Sequence, residues 1–440
     1  MQKLKKIYAE FSPVPLQSEQ QNLYVDLNSA RGDALGIVRQ LQRKIELSDK
    51  PTCQVLTGHR GSGKSTELWQ LQHHLQDPGA GEKRFVVFVR ADDHMDRNDI
   101  DFPEVLIALV KQLVDELEKR ENITLKPGYF KDRWARLKSL FGSDIDFDNI
   151  TLSVGLAKIS MPLKNSPDVR QALRKQLDAD AGNWLTAANE VIAEAKLALS
   201  KKGYQDLVII VDDLDKMITR QHESAECTTT EYLFVHRAAQ LSAFQCHIIY
   251  TIPLELAYSH HESTLKELYG GAVPVIPMTK IATPPPNAQP HEAGLNCFRK
   301  IIQQRLQQAG AEHADLFADA EVETALIQLS GGQPTELMTL IREAIIAADL
   351  PIQLSAVERG RTEALRSYRR QLRPEHWPIL QQAQNRGQVT RTVENEQTFR
   401  QLLESRALLL YRNGEEWYAP HPVVAELTAS VPSETQPVGD

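Results

Sequence analysis

The sequence is poor in cysteine, has no long apolar run and carries no excess of positive charge. Its four cysteines, Cys53, Cys227, Cys246 and Cys297, are scattered through 440 residues with no C-x-x-C spacing. That excludes a disulfide framework and a cysteine zinc site, and it fits a reducing compartment. No apolar run approaches membrane-spanning length, and Met1-Gln2-Lys3-Leu4-Lys5-Lys6 lacks the apolar core of a signal peptide. The expectation is therefore a cytoplasmic protein with no membrane partner. The formal net charge of −8 gives no whole-chain footprint for nucleic acid, although a local basic face stays possible. No internal repeat is visible. Apolar residues at 42% and charged residues at 25% are ordinary for a globular chain long enough for two to four domains.

One stretch carries strong chemistry. Gly58-His59-Arg60-Gly61-Ser62-Gly63-Lys64-Ser65 reads G-x-x-x-x-G-K-S. The short apolar run Gln54–Thr57 precedes it, and Thr66 to Leu75 follows with Leu68, Leu71 and Leu75 at helical spacing. Strand, glycine-rich loop and helix together make the phosphate-binding P-loop. Glycines let successive N–H groups converge on anionic oxygens, and the helix adds its positive end. Gly58 through Thr66 are thus the expected nucleotide-binding residues. Lys64 would reach the β- and γ-phosphates, and the Ser65 hydroxyl would ligate Mg²⁺. A glycine-rich turn that binds nothing is the weaker alternative, because a second motif accompanies this one.

That second motif is Leu207-Val208-Ile209-Ile210-Val211-Asp212-Asp213, a buried strand ending in two acids. Open α/β sheets bind ligands at the carboxyl ends of their strands. Asp212 is expected to hold the metal and Asp213 to orient or deprotonate water. Cys246–Thr251 is a further strand, and Thr251 occupies the position of a γ-phosphate-sensing side chain; a structural threonine is the alternative. Arg84–Arg90 and Gly271–Pro277 read as two more strands, the latter at a sheet edge because of its prolines.

Residues 1–50 form a lead-in covering the nucleotide, with Leu23–Leu27 extended and a helix over Leu35–Ile45. Tyr24 and Arg31 are candidates for the adenine contact, or else pack structurally. Residues 51–282 form the core, with a helical insertion over 120–200. Within it, Phe102–Leu117 reads as an amphipathic helix, Ile150–Ile159 as a strand or hairpin, and Val169–Leu199 as a helical region broken near Ala181-Gly182. Asp144, Asp146 and Asp148 lack the glycine and final glutamate of a calcium loop and read as a solvated loop. Thr283–Pro290 is a stiff proline-rich linker.

Residues 291–350 form a helical lid in which Gly331-Gly332-Gln333-Pro334 opens a helix and places Pro334 near the nucleotide. Residues 355–430 have a winged-helix rhythm: three helices, then a hairpin turning at Asn413-Gly414. Residues 431–440 read as a disordered tail. Arg359, Arg361, Arg366, Arg369, Arg370 and Arg373 make a basic stretch that could track phosphates, diluted by Glu358, Glu363 and Glu375. Arg400 is the only basic residue of the next reading helix, Gln397–Leu403, which favours a protein-docking wing.

In the order of these motifs the chain resembles the AAA+-like P-loop ATPases, and among them the STAND-type signalling ATPases and their origin-recognition-like relatives. The local wording around Gly58–Leu68 and Asp212–Lys216 also looks like bacterial conflict and defence ATPases. The resemblance covers roughly residues 20–427. It implies an α/β fold with a parallel five-stranded core, a helical lid and a C-terminal winged-helix-like domain around ATP or ADP with Mg²⁺. It implies a switch that controls assembly of a homo-oligomer or a separate effector protein. Three departures favour slow hydrolysis. Asp213 stands where the family has glutamate. Thr335 stands where many lids place a sensing arginine, with Arg342 as the nearest substitute. Tyr258–Gly271 holds no arginine finger, leaving Arg220 and Arg237 as alternatives. A DNA-binding loader and a non-hydrolysing nucleotide scaffold are the competing readings. No guanine-reading N-K-x-D motif is present, which tilts the base toward adenine.

Overall fold

Runs of β-branched residues build the sheet. In a computed structural model, β1 (Cys53–Gly58), β2 (Arg84–Arg90), β3 (Asp206–Asp212), β4 (His247–Thr251) and β5 (Val275–Ile276) form one five-stranded sheet. Its order is β2-β3-β4-β1-β5. The pairs β2–β3, β3–β4 and β4–β1 are parallel, with Phe85 opposite Leu207, Ile209 opposite Ile248 and Val55 opposite Tyr250. Both faces of β3 are buried, which is why its sequence is continuously apolar rather than alternating. The expected α/β fold with a five-stranded core is present, and β5 lies at the sheet edge. The structure describes residues 2–33, 35–77, 79, 81–125, 152–179, 181–223 and 225–430. The expected acidic loop at Asp144–Asp148 and the tail at 431–440 lie outside the described residues. Among the described residues no helix is long and apolar enough to cross a membrane.

The chain divides into two compact units. One comprises Val38–Thr57 and Gln70–Pro274; the other comprises Met1–Ile37, Gly58–Trp69 and Val275–Asp440. The division differs from the boundaries drawn from the sequence, because it groups the glycine-rich loop with the N-terminal and C-terminal segments.

In the sheet unit, helix Phe102–Glu121 starts at a capping box in which Asp101 accepts from Phe102 N and Glu104 from Asp101 N. It is not amphipathic over its first half: Phe102 through Val110 are all buried. Glu104 can be buried there because Arg174 of helix Pro167–Ala179 pairs with it at 3.1 Å. Arg170 and Arg174 also bind Asp96 and Asp99, which docks that helix. The strand or hairpin expected at Ile150–Ile159 is instead a helix, Leu152–Asn165. Leu152, Leu156 and Leu163 are its buried residues at helical spacing, a period masked in sequence by a superficial alternation. The break expected near Ala181 separates Pro167–Ala179 from Ala181–Ser200. The helix expected over Glu231–Leu241 contains a π-helical turn, Tyr232–His236, where Arg237 N reaches back five residues to Tyr232 O.

In the other unit, Ile7 and Phe11 pack with Phe298 and Leu306 of helix Glu292–Ala309, with Leu337 and Ile341 of helix Pro334–Ala347, and with Val423. Helices Leu354–Gln371, Trp377–Arg386 and Glu396–Glu404 precede a hairpin of β6 (Leu408–Asn413) and β7 (Glu415–Pro420). The hairpin register pairs Asn413 with Glu415 around Gly414 at φ +77°. An extended strap joins these parts. Met278 N donates to Leu410 O, Thr279 N to Gly332 O and Lys280 N to Ala30 O. Gly332 lies so close to this strap that a Cβ there would fall 1.9 Å from Thr279 O, and its φ is +76°. Gly332→Ala is expected to cost about 3 kcal/mol, from left-handed strain and steric overlap together. Urea denaturation checks this; a loss below ~1 kcal/mol would show that the strap can yield.

Candidate functional site

The glycine-rich loop curls as its sequence requires. Gly58, Gly61 and Gly63 have φ of +156°, +84° and +100°, and helix Lys64–Gln76 begins at Lys64. A Cβ on Gly58 would fall 2.6 Å from Ile276 O, so the loop's first glycine is also a packing glycine. Lys64 is buried, and its ammonium donates to Gly58 O at 2.7 Å and His59 O at 2.9 Å. The lysine thus holds the curl through the loop's own carbonyls. Ser62 Oγ is buried with no hydrogen-bond partner among the described residues. An unsatisfied donor beside converging amides suits an anionic oxygen, so the loop fits a nucleotide phosphate on its own chemistry. Ser65 and Thr66 open the helix, where a hydroxyl suits a hard cation.

A buried ion pair supports this loop. Arg31 is 2% exposed, and its Nη1 donates to Glu67 Oε1 at 2.6 Å while Nη2 donates to Ser62 O at 2.5 Å. Tyr24 OH donates to the other oxygen, Glu67 Oε2, at 3.1 Å. Burial, followed by the field of Glu67, pushes the Tyr24 hydroxyl far above its ordinary range, so it stays a donor. Tyr24 and Arg31 are therefore braces of the loop and its helix. Their signal in sequence was indirect: a buried arginine needs a carboxylate, and Glu67 stands three residues after Lys64.

Two further braces come from the C-terminal half of the same unit. Leu410 N of β6 donates to His59 Nε2 at 2.9 Å. Because Nε2 accepts, the neutral ring carries its proton on Nδ1. Burial first, then the charges of Lys64 and Arg406, push His59 down to about 3; a backbone bond at Leu403 opposes this more weakly. At the lid turn, Pro334 is the first residue of its helix, and Thr335 N faces Gly61 O at 3.5 Å. Gln333 Oε1 is buried without a partner and would lie 3.5 Å from a Cβ on Gly61. Arg342, the substitute for a sensing arginine, instead lies 3.9 Å over the Tyr8 ring.

The acidic strand end belongs to the sheet unit. Asp212 and Asp213 are 2% and 1% exposed. Asp213 takes φ +69° and is clamped by two cations, Arg90 Nε at 3.3 Å and Lys216 Nζ at 2.5 Å. Desolvation disfavours the Lys216 charge, but the hydrogen bond and field of Asp213 outweigh it and raise its pKa. Sequence reading missed both cations, although Arg90 ends β2 opposite Asp212 and Lys216 follows Asp213 by three residues. Thr251 Oγ1 is fully buried and accepts from Leu214 N at 3.2 Å, so it fixes the turn after Asp213. Arg220 and Arg237, the alternative fingers, pair with Asp99 and Asp101 at 3.4 Å each.

No protein-family model matches the chain, and no curated protein matches it. Among solved structures, the chain is similar to the Walker-type ATPase PABY2304 of Pyrococcus abyssi, at 14% identity over 89% of this chain and 95% of that one, with a TM-score of 0.45. It is also similar to the ORC2 protein of Aeropyrum pernix in ADPNP–ADP complexes, at 11% identity over 89% and 93%, with a TM-score of 0.41. The ORC1 protein of Aeropyrum pernix in complex with DNA aligns at 14% identity over 89% and 91%, with a TM-score of 0.37. What each of these binds is a property of that protein.

Glu67→Ala leaves Arg31 charged and buried without its partner, which is expected to cost about 3–5 kcal/mol, whereas the Arg31→Met/Glu67→Leu double variant recovers only part of that loss, because Ser62 O and Tyr24 OH then lose their partners. Denaturation of the two variants checks it. A second expectation concerns pH. His59 and His421 are both pushed down to about 3 by burial first, with Arg406 adding to each. Their unfolded forms bind protons from about 6.5 downward, so stability is full above that value and falls as pH drops from it toward 3. The slope is expected to approach 2.8 kcal/mol per pH unit if both act, at about 1.4 for each. His59→Gln should remove roughly half of the slope attributable to the pair.

Proposed function

We propose that the chain binds ATP or ADP with Mg²⁺ at Gly58–Thr66, hydrolyses ATP slowly, and works as a nucleotide-controlled switch of the STAND/AAA+ type. One observation carries this reading most directly. The phosphate loop is hydrogen-bonded to a strand of the C-terminal hairpin through His59 and Leu410, while the lid turn packs on Gly61. A ligand that reshapes the loop would act on both. The output would be self-assembly or control of a separate effector protein.

In this reading the loop amides and Lys64 bind the phosphates, with Lys64 exchanging the Gly58 and His59 carbonyls for phosphate oxygens. Ser65 and Asp212 would hold Mg²⁺, which, when bound, neutralises charge on the transferred phosphoryl group. Asp213 would orient water, and Thr251 would keep its turn in place. The two cations on Asp213 support slow turnover, because a carboxylate held in two ion pairs has to release one of them before it can orient water.

The competing DNA-binding reading rests on the arginines of helix Leu354–Gln371. Two of them are paired with acids: Arg361 with Glu358 and Glu426, and Arg366 with Glu363. That favours a protein partner. A role in bacterial defence would suit a switch of this kind.

Lys64→Ala is expected to weaken ATP affinity about 100-fold by removing a charged donor, measured by calorimetry. Unchanged affinity would end the proposal. Asp213→Asn should bind ATP normally and lose single-turnover hydrolysis. Lys216→Gln, which releases one cation, should raise turnover by up to ~10-fold; an unchanged rate would remove the clamp from the account.

A further inference from the structure

The π-helical turn of the sheet unit points to a metal site outside the nucleotide motifs. Glu231 ends the short helix Thr229–Glu231, immediately before that turn. His260 and His261 lie in the turn that leads into helix Glu262–Leu268. One ligand atom from each of the three residues lies within 4.8 Å of the other two. We propose that Glu231, His260 and His261 form a binding site for a divalent transition-metal ion of the imidazole-preferring kind, with Zn²⁺ as its type, leaving a fourth position open to water.

The geometry separates this from an ordinary ion pair. Glu231 Oε1 and His261 Nε2 are 3.8 Å apart. That is too long for a hydrogen bond. Two ligands bound to one zinc at ~2.1 Å each stand about 3.4 Å apart in a tetrahedron, so the observed gap closes with a small side-chain rotation. Hydrogen bonds hold the segments that carry Glu231 and His261. Thr228 N donates to Glu231 Oε2 at 2.7 Å, and Oε1 is the oxygen on the His261 side. His261 N donates to Ser259 Oγ at 3.1 Å, and Ser259 Oγ donates to Leu256 O at 2.8 Å. Leu265 N donates to His261 O at 2.8 Å. The two imidazoles pack with centroids 4.0 Å apart and planes tilted by 41°. Such support around the ligands is what orients a metal's first shell.

Burial is graded in a way that suits an open site. The Glu231 side chain is 8% exposed and that of His261 is 21%, while His260 is at the surface. The carboxylate supplies charge from below, and the imidazoles close over it from the solvent side. Two neutral imidazoles and one carboxylate make the donor set of open, three-ligand zinc centres. Cys227 is only four residues before Glu231, which raises the Cys227 pKa through its charge after burial. A test must therefore separate thiol capture from the proposed ligands.

The test is a titration of ZnCl₂ into the untagged, chelator-stripped full chain, with a fluorescent zinc chelator in competition. One saturable site per chain is expected. His261→Ala and Glu231→Gln should each weaken it at least 10-fold. Gln keeps an oxygen for Thr228 N, so the helix start is preserved. Cys227→Ser should leave the affinity within 2-fold. Replacement with Co²⁺ should give visible absorption that disappears in His261→Ala. Circular dichroism and the urea midpoint, unchanged in both variants, show that they fold. Absence of a saturable site, or equal affinity in the folded ligand variants, would overturn the site; loss only in Cys227→Ser would transfer the binding to that thiol. None of these readouts depends on the nucleotide proposal.

Discussion

The contact between Arg31 and Glu67 fixes the geometry on which the phosphate loop depends. Burying a guanidinium costs several kcal/mol unless its charge is met. Here one nitrogen meets Glu67 and another meets the Ser62 carbonyl. The same side chain therefore ties the curl of the loop to the first turn of its helix. Tyr24 completes the carboxylate's coordination. The charge pair by itself adds little net stability, since its Coulomb gain is offset by desolvation. Its effect is positional: it is satisfied only if Ser62 O faces inward, which directs the neighbouring amides to the other side.

A second constraint is the narrow passage around Met278–Lys280. Three backbone donors of this strap reach three different parts of the unit. Such dense main-chain bonding leaves no volume for side chains, so glycine stands where neighbours cross it. Gly332 faces Thr279 O, and Gly294 faces Lys280 O, where a Cβ would fall at 1.6 Å. The lid glycine is thus explained by close approach as well as by its turn. The same packing brings Tyr411 OH within 2.8 Å of Gly331 O, so hairpin and lid turn share a hydrogen bond.

Much of this architecture was legible in the sequence, and the failures have physical causes. Buried parallel strands announce themselves because both faces are apolar, and β2, β3 and β4 lie within a residue of their expected bounds. The loop was legible because its chemistry needs glycine and lysine at fixed spacing. Helix Leu152–Asn165 was misread because short apolar runs satisfy periods of 2 and 3.6 alike. Helix Phe102–Glu121 was read as amphipathic because a charged residue was assumed to face water; Glu104 is buried with Arg174 instead. Braces such as Arg31–Glu67 and Arg90–Asp213 join residues 36 and 123 positions apart. Nothing local encodes such pairs, so single residues were visible as candidates while their partners were not.

The roles assigned to single side chains shifted in a consistent direction. Tyr24, Arg31, Arg342, Arg220 and Arg237 were considered as ligand contacts, and each has a partner within its own unit. Asp213 and Thr251 also hold internal partners, in a turn whose left-handed aspartate costs about 1–2 kcal/mol. A strained residue persists only where its surroundings overdetermine it. Two cations and a threonine hydroxyl do so here. Each of these contacts has to be given up before the carboxylate can turn to any other group. The same logic applies to Lys64, whose ammonium is already shared between two loop carbonyls. Both motifs are thus held by partners of their own unit, Lys64 by two loop carbonyls and Asp213 by two cations.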